Sequence, residues 1–539
     1  MTLLLGSVLG SVLGSLLAYE WCFIGLIVAV IAYYYISWRN AVSYWKDRHI
    51  CGPKPIPIFG NILGLYLNPG PLNELQWYKK YGKIYGLYMS SKPTLTVADP
   101  QLIQQILVKD FNIFRNRPVI PGTDMLAMTT ARDEDWKRIR AIANPTFTSG
   151  KIRKMYGIIN HCGQDFIGSL DKDVSNGVNE VELKRLMGAY TMDVIASCAF
   201  AAKTNTYADP NNPFTTNGAN ITNGPGSIYK RLLRRTLPTL IVSSNIYRKL
   251  LGPRGSNAAF FVDFTRSLIK KRRDNNEKHN DFLQLLMDAE RPEGDIREAS
   301  DANEAHHVNE GKDEMKAYAE AFTGVSEKKL TEDEILAQCF LFFIAGYETT
   351  STALSFCAYE LALNPGLQDR LYEETKEAFN EKGEMDYSVL SRLPFIDALL
   401  SETLRHYPPI SRLPRTAAQD VMLGSTGVKI EKGVSVEIPV YAIHHDPDHY
   451  PDPFTFNPDR FMPQNRDHIQ PYTYLPFGSG PRNCIGMRFA LLSAKLVLAK
   501  ISHSFRFSRV TDTDVPVIYT TTLLNKLLPK RLVVGVHKR

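Results

Sequence analysis

The chain has 539 residues, of which 44% are hydrophobic and 22% are charged, so most of it can bury a core and wholesale disorder is excluded. Its formal net charge is +7 at pH 7, but the basic residues are dispersed and no DNA-reading spacing occurs, which argues against a nucleic-acid partner. Its seven cysteines stand far apart, and an odd number without paired spacing favours a reducing compartment over a disulfide framework or a zinc site.

Residues 1–50 predict a membrane anchor. Residues 21–38 are apolar and long enough to cross a hydrocarbon core of about 30 Å as a helix, whereas residues 1–19 either extend this anchor or lie along the lumenal interface. Basic residues follow the apolar stretch and none precede it, so the positive-inside rule places the rest of the chain in the cytosol. We expect the anchor to be uncleaved, because the basic leader and short apolar core of a signal peptide are absent.

A proline-rich segment at 51–60 predicts a stiff extended linker, followed by a catalytic domain at 61–539. Residues 84–97 alternate as strands do, and helical periods dominate from Pro100 onward. Residues 205–227 predict a loop because they are rich in Asn, Gly and Pro. The next stretch, 228–251, fits either contact with the membrane surface or ordinary amphipathic helices.

The charged stretch at 290–329 has few large apolar residues. Such a composition cannot bury enough apolar surface to offset the entropy of ordering. We therefore predict a flexible surface insertion there and assign it no chemical role.

The strongest chemical signal is FGSGPRNCIG at 477–486. Its glycines permit a tight turn that brings amide donors close to the sulfur of Cys484, and the helix predicted at 487–505 adds a positive dipole end. Both effects favour a thiolate. The alternative is a buried structural cysteine, and the surrounding glycines together with Arg482 favour the reactive one.

Residues 331–364 predict one long helix, which a capping box opens and an Asn-Pro pair ends. Its residues are apolar on nearly every face, so it should run through the middle of the protein. Within it, AGYETT at 345–350 places a carboxylate and a hydroxyl where burial is costly unless they have partners or a function. Thr349 either bonds back to the carbonyl of Ala345 or acts on a ligand.

These motifs resemble those of the cytochrome P450 family. FGSGPRNCIG matches the family's haem-binding loop, and PTFTSGK at 145–151 and AGYETTS at 345–351 are similar to the family 3 and thromboxane-synthase-like microsomal members. The resemblance covers nearly everything from Pro53 to the C-terminus and departs in the charged insertion. It implies a mainly α fold, one helical domain with small β-sheets, preceded by the transmembrane helix.

The resemblance also implies haem b as the cofactor, with Cys484 as its axial metal ligand. Other implied contacts with the cofactor are Arg482, Arg140, Trp136, Arg415 and Phe477. Gly346 is implied to form the oxygen-binding groove, and Glu348 and Thr349 are implied to relay protons.

Further candidates are structural or line a pocket. Glu402, Arg405 and Arg460 resemble the family's buried Glu-Arg-Arg cluster, and His444, His445 and His449 are interpreted as structural rather than as a metal site. The candidate pocket residues are Phe340, Phe342, Phe343, Ile344 and the region 111–128.

The implied activity is insertion of one oxygen atom of O2 into a lipophilic small molecule (a xenobiotic, steroid or fatty-acid-like compound) at the cytosolic side of the endoplasmic reticulum membrane. Electrons are expected from NADPH-cytochrome P450 reductase, with cytochrome b5 as an optional further partner and Lys495, Arg488 and Lys137 as candidate docking residues. A peroxide isomerase or synthase and a non-catalytic haem-binding sensor are the alternatives. The presence of Thr349 favours the monooxygenase over the isomerase or synthase. Glu348 together with Thr349 favours the monooxygenase over the haem-binding sensor.

Overall fold

The computed structural model describes residues 35–119, 125–204, 211–223, 256–289, 312–325, 329–381, 383–520 and 526–539, together with positions 24, 25, 28, 29, 32, 33, 206, 207 and 209. Within that part of the chain the fold is mainly helical with small sheets, as predicted. The helices are α1 Ile62–Leu67, α2 Gly70–Tyr81, α3 Pro100–Gln104, α4 Asp133–Ala143, α5 Ser149–Ser175, α6 Leu183–Phe200, α7 Pro213–Asn223, α8 Ser256–Asp274, α9 Phe282–Asp288, α10 Lys312–Phe322, α11 Glu332–Leu363, α12 Pro365–Thr375, α13 Tyr387–Leu390, α14 Pro394–His406, α15 Val440–His444 and α16 Met487–Ser504.

The strands are β1 Ile84–Met89, β2 Lys92–Val97, β3 Glu180–Glu182, β4 Leu413–Thr416, β5 Val421–Met422, β6 Lys429–Ile430, β7 Ser435–Ile438, β8 Phe505–Ser508, β9 Tyr519–Thr520, β10 Leu528–Pro529 and β11 Val533–Lys538. The larger sheet has the order β1-β2-β7-β4, and a second sheet has the order β3-β11-β8. The strand pair predicted at 84–97 is confirmed as the antiparallel hairpin β1-β2, while β2 and β7 run parallel.

The long helix α11 crosses the helical core and is buried along most of its length, as predicted. The capping box is confirmed, since Thr331 Oγ1 accepts the amide of Glu334 (3.3 Å) and Glu334 Oε2 accepts the amide of Thr331 (2.9 Å). Asn364 ends the helix and donates its own amide to the carbonyl of Glu360. Helix α6 packs along α11 in the middle of the helical core.

Two hydrophobic cores meet near the predicted cysteine loop. The larger core joins the helices and includes Trp136 and Phe489, whereas the second core joins the larger sheet to α3 and includes Leu475. The loop that carries Cys484 runs between Leu475 and Phe489 and therefore connects the two cores.

The loop predicted at 205–227 is wrong in part, because α7 occupies Pro213–Asn223. Asn212 Oδ1 accepts the amide of Phe214 (3.0 Å) and so satisfies a free donor at the start of the helix. Phe214 also packs edge-on against Phe260 and Phe264. Tertiary packing thus overrides the weak helix propensity of Asn and Gly in this segment.

The segment predicted as an extended linker turns back on itself. The amide of Ile56 donates to the carbonyl of Gly60 (2.8 Å), and the amide of Gly60 donates to the carbonyl of Ile56 (2.7 Å). The carbonyl of Cys51 accepts the amide of Gly86 on β1 (2.9 Å). Packing on the sheet therefore replaces the extended path that the prolines predicted.

The predicted flexible insertion contains α10, an ordered helix packed on the protein body. Ala317 and Ala321 are the buried residues on its inner face. The small side chains of these two alanines permit close packing. The prediction of a flexible insertion used the average composition of 290–329, which does not reveal such a local pattern. Residues 290–311 and 326–328, and the stretch 228–251, lie outside the described residues.

The segment predicted as a membrane anchor lies mostly outside the described residues. Among the residues that are described, no helix is both long and apolar enough to span a bilayer. The six cysteines in the described part of the chain are all free.

Candidate active site

The glycine-rich loop before α16 holds Cys484 by its backbone. Gly478 and Gly480 both have φ of +73°, a left-handed conformation that disfavours other residues. A Cβ at Gly480 would lie 2.0 Å from the carbonyl oxygen of Leu107, so only glycine permits this close approach. The amide of Cys484 donates to the carbonyl of Phe477 (2.9 Å) and closes the turn.

The side chain of Cys484 has accessible surface, but the surrounding protein desolvates its sulfur. The sulfur therefore faces an enclosed space inside the protein. Burial raises the pKa of the thiol, whereas the amide of Gly486 and the charges of Arg140 and Arg117 lower that pKa. The amide donor and the positive charges are the features that stabilise a thiolate. A coordinated metal cation would complete the deprotonation.

Four arginines converge beside this cysteine: Arg117, Arg140, Arg415 and Arg482. Burial, followed by the neighbouring guanidinium groups, lowers the pKa of Arg482 to about 8. Burial and then Arg117 lower the pKa of Arg415 to about 9. In the described part of the chain, the Nε atom of each of the four is buried without a hydrogen-bond partner, and no ion pair joins any of them to a carboxylate.

This cluster fits a bound group that carries carboxylates. Guanidinium groups stay protonated, so several buried positive charges together require anions to offset their desolvation. Haem b supplies two carboxylates and an iron that takes a thiolate ligand, and the residues present match both demands. Sequence reasoning missed Arg117, although arginine in the mostly apolar region 111–128 was a usable signal.

The predicted cofactor residues on α4 and in the cysteine loop contact one another. Arg140 donates from Nη1 to the carbonyl of Asn483 (2.9 Å) and from Nη2 to Asn483 Oδ1 (3.0 Å). Arg482 donates to the carbonyl of Ala131 (2.6 Å) and lies 4.9 Å above the ring of Trp136. Tertiary contacts therefore bring Trp136 and Arg140 to Cys484.

The other two predicted contacts come from the larger sheet and from the loop itself. Arg415 is on β4, paired across from Val436 of β7, and its Nη1 donates to the carbonyl of Pro414 (2.9 Å). Phe477 is half-buried at the start of the loop. The larger sheet therefore supplies Arg415, whereas the helical part supplies Arg140.

The accessible face of α11 is marked by Ala345 and Thr349. Ala345 is exposed although α11 runs through the protein, and Thr349 lies one turn further along the same side. The hydroxyl of Thr349 donates to the carbonyl of Ala345 (2.8 Å), so the back-bonded alternative describes this conformation. Both lone pairs of that hydroxyl stay available to a ligand or water.

Gly346 faces helix α6, whereas Ala345 lies on the accessible face of α11. A Cβ at this position would lie 2.3 Å from Ile195 Cδ1. Glycine is therefore needed for the close packing of α11 on α6. The open position beside Thr349 belongs to Ala345, which the sequence analysis did not single out.

Glu348 is held by two lysines that sequence reasoning missed. Lys526 Nζ lies 2.5 Å from Glu348 Oε1, and Lys184 Nζ lies 3.3 Å from the same oxygen. Lys184 also donates to the hydroxyls of Ser351 (3.0 Å) and Thr352 (2.5 Å). The carboxylate of Glu348 therefore forms ion pairs with both lysines. To relay a proton, it would have to break these ion pairs.

The Glu402, Arg405 and Arg460 cluster supports the loop from behind, in the structural role predicted. Arg405 binds both carboxylate oxygens of Glu402 at 2.7 Å, and Arg460 Nε lies 3.6 Å from the nearer oxygen. Arg405 also donates to the carbonyl of His444 (2.7 Å). His444 Nε2 in turn accepts the amide of Leu475 (2.9 Å), which connects the cluster to the cysteine loop.

The histidines do not form a metal site within the described residues. His444 Nδ1 contacts the carbonyl of Arg405 (3.1 Å), and His445 Nδ1 contacts the carbonyl of Tyr441 (2.9 Å). His449 lies 3.6 Å from Asp446. These contacts match the structural interpretation.

Among the candidate docking residues, Lys495 is buried, whereas Lys137 and Arg488 are half-buried and paired within the chain. Lys495 is buried against Asp397, so it does not present a charge to a partner. Lys137 pairs with Glu134 (3.1 Å), and Arg488 donates to Ser149 Oγ (2.8 Å).

Among the pocket candidates, Phe343 is fully buried and stacks on Phe200 with ring centroids 4.1 Å apart. Phe342 packs on Phe282 with ring centroids 3.7 Å apart. Phe343 is therefore a core packing residue, whereas Phe340, Phe342 and Ile344 are half-buried and pack against the core.

Comparison with known proteins agrees with this geometry. The cytochrome P450 family profile matches residues 51–534. Cytochrome P450 3A2 of Rattus norvegicus is 37% identical over 505 residues, which cover 91% of each chain. Cytochrome P450 3A29 of Sus scrofa is 36% identical over 497 residues, covering 91% of this chain and 92% of the relative. Cytochrome P450 3A31 of Mesocricetus auratus is 38% identical over 500 residues, covering 91% of each.

A cysteine at the head of a buried helix, a cluster of arginines beside it and an accessible central helix define a haem-thiolate enzyme. The chain belongs to the cytochrome P450 family. It is a cytochrome P450 monooxygenase, with haem b as its cofactor and a cysteine thiolate as the axial ligand.

Proposed function

We propose that Cys484 is the axial ligand and that Arg117, Arg140, Arg415 and Arg482 hold the haem carboxylates. The observation that carries this proposal is the group of buried guanidinium nitrogens without partners beside an accessible cysteine. When bound, haem with a thiolate ligand supplies the O–O bond cleavage from which one oxygen atom of O2 enters the substrate. The residues of the chain bind and orient this group.

Thr349 is proposed to hold a proton at Oγ1 beside the substrate space. Ala345, on the same side of α11, has no side chain beyond Cβ and leaves that space open. Glu348 is the nearest acid in sequence, and two lysines hold its carboxylate in ion pairs. Proton delivery through Glu348 then requires its carboxylate to exchange a lysine for water or Thr349.

The substrate is proposed to be a lipophilic small molecule of the xenobiotic, steroid or fatty-acid-like kind. Half-buried apolar residues on α11, Phe340 and Ile344, and the accessible Ala345 suit an apolar ligand better than a charged one. The three relatives named above are all cytochrome P450 3A proteins, which supports the same broad assignment.

The setting is proposed to be the cytosolic side of the endoplasmic reticulum membrane, with residues 1–50 as the anchor. The apolar stretch at 21–38 and the basic residues after it support this topology. NADPH-cytochrome P450 reductase is the proposed electron donor, and cytochrome b5 is an optional second donor. Arg488 and Lys137 stay candidates for docking, and Lys495 does not because it is buried.

The test of the ligand assignment is the carbon monoxide difference spectrum of the reduced protein and of Cys484→Ser. We expect a red-shifted Soret band in the wild type and its loss in the variant. Cys51→Ser, which changes an exposed cysteine outside the site, is the matched control and should keep the band. A wild type with full haem occupancy but without the band would refute Cys484 as the ligand.

The test of the reaction is formation of product with an apolar steroid, reductase, NADPH and O2. We expect product that carries one atom of labelled O2 and requires NADPH. Rearrangement of an organic peroxide without NADPH, reductase or O2, combined with no labelled product from the steroid, would instead support the isomerase or synthase alternative.

The membrane assignment is tested by fractionating cells that express the full chain or the chain lacking residues 1–50. The full chain should sediment with microsomes after an alkaline carbonate wash. Equal distribution of the two proteins would refute the anchor.

A further inference from the structure

Helix α10 lies directly against the cysteine loop, although it belongs to the charged segment 290–329, for which the sequence predicted no chemical role. Glu314, on the inner side of α10, accepts a hydrogen bond from the hydroxyl of Ser479. Ser479 is buried and belongs to the loop that carries Cys484. Burial of Ala317 and Ala321 brings the helix close enough for this contact. The insertion therefore places a carboxylate against the loop that carries the proposed cofactor ligand.

A second set of contacts joins α10 to α4, the helix that carries Arg140. Asn144 Nδ2 donates to the hydroxyl oxygen of Tyr318 (2.6 Å). The amide of Asn144 caps α4 by donating to the carbonyl of Arg140. Tyr318 also interacts with the guanidinium of Arg140, whose pKa it helps to raise against the larger effect of burial.

The same interface continues into the aromatic core. The ring centroids of Phe322 and Trp136 are 5.5 Å apart, and those of Tyr318 and Phe322 are 4.8 Å apart. Trp136 is fully buried and lies under Arg482. Helix α10 thus contacts the cysteine loop and both α4 residues predicted to bind the cofactor.

We propose that Glu314 is a positioning residue that lowers the reduction potential of the haem, and that Tyr318 supports the arginine clamp through Asn144 and Arg140. Reduction adds one electron from the donor protein to the cofactor without making or breaking a bond in the chain. A nearby carboxylate opposes this added negative charge, and Glu314 is half-buried beside the buried Ser479, where water screens a charge less than in bulk. The inference rests on the proposed ligation by Cys484.

The test compares Glu314→Gln with Glu320→Gln in spectroelectrochemical titrations of the full-length, haem-loaded protein. Each variant removes one negative charge from α10, but Glu320 is exposed and lies near Lys316 (3.8 Å) instead of the loop. We expect the potential of Glu314→Gln to shift to more positive values by clearly more than that of Glu320→Gln. Equal shifts, no shift or a negative shift in Glu314→Gln would overturn the role of Glu314.

Tyr318→Phe tests the second half of the proposal by transfer of haem to excess apomyoglobin. Loss of one hydrogen bond predicts haem release about fivefold faster than in the wild type. Tyr372→Phe, a change of the same kind on α12, should not alter the rate. Equal release rates for Tyr318→Phe and the wild type would overturn the support of Arg140 by Tyr318.

Failure of this inference is distinguishable from failure of the proposed ligation. A wild type without the red-shifted carbon monoxide band fails on Cys484 itself. A wild type with that band, combined with an unshifted potential in Glu314→Gln, leaves Cys484 in place and removes only the role of Glu314.

Discussion

The ammonium group of Lys526 lies 2.5 Å from the carboxylate of Glu348, which joins the segment before β10 to the middle of α11. Lys184, near the start of α6, reaches the same carboxylate oxygen at 3.3 Å. All three side chains are largely shielded from water. One buried acid therefore ties together three parts of the chain that are distant in sequence.

Glu348→Gln should destabilise the protein strongly, because it leaves two buried lysines beside a neutral amide. Burial already lowers the pKa of Lys184 to about 8, and Glu348 is the main group that raises it. We expect a loss of about 3–5 kcal/mol in the free energy of unfolding, measured by chemical denaturation.

The control is Glu332→Gln, which lies on α11 like Glu348 but removes an exposed acid paired with Arg273 of α8, and it should cost less than about 1 kcal/mol. Adding Lys526→Met to Glu348→Gln should restore part of the loss. Equal losses for the two single variants would show that the buried ion pairs do not stabilise the fold.

Thr349→Ala should uncouple electron use from product formation. The hydroxyl donates to the carbonyl of Ala345, which has other backbone partners in the helix, so its removal should leave the fold intact. We expect product per NADPH to fall on the order of tenfold while peroxide release rises, because proton delivery at Oγ1 is lost. Thr349→Ser keeps the hydroxyl and should retain most of the coupling. Unchanged coupling in Thr349→Ala would sink the proton-holding role.

Gly346→Ala should destabilise the packing of α11 on α6. Its new methyl group would lie 2.3 Å from Ile195 Cδ1, so one of the two helices has to shift. We expect a loss of about 1–3 kcal/mol in thermal or chemical unfolding. Gly366→Ala, on α12, meets no atom within 4 Å and is the control. If the groove role of Gly346 dominated instead, activity would fall without a change in stability.

Acidification below pH 6.5 should destabilise the protein through His444. Burial, and then Arg405, lower the pKa of His444 to about 3 in the folded protein. Because the unfolded state has the higher pKa, it takes up the proton first, and stability falls as the pH drops below about 6.5. Between pH 6.5 and 5 this one group should remove about 2 kcal/mol.

The measurement is the free energy of unfolding across this pH range for the wild type and His444→Gln. The variant should lose less stability over that range because glutamine does not titrate. His468→Gln, which changes an exposed histidine, should follow the wild type. Parallel curves for the wild type and His444→Gln would contradict the assignment.

Local patterns in the sequence predicted much of this fold. The capping box of Thr331 and Glu334 and the hairpin at 84–97 depend on neighbours within a few residues, and both are confirmed. The turn around Cys484 likewise depends on glycines in the same motif. The helix at 213–223 and the helix in the insertion were missed because contacts from distant segments stabilise them.

What the sequence by itself determined is the chemistry carried by single motifs: the loop of Cys484, the long helix with Thr349, and through them the family. Tertiary structure decided which charges meet. Arg117 joins the other arginines, Lys184 and Lys526 share Glu348, and Glu314 reaches the cysteine loop only when the chain is folded. Hydrogen bonds within a motif act over one or two turns and leave a readable pattern, whereas ion pairs between distant segments depend on packing that no local spacing records.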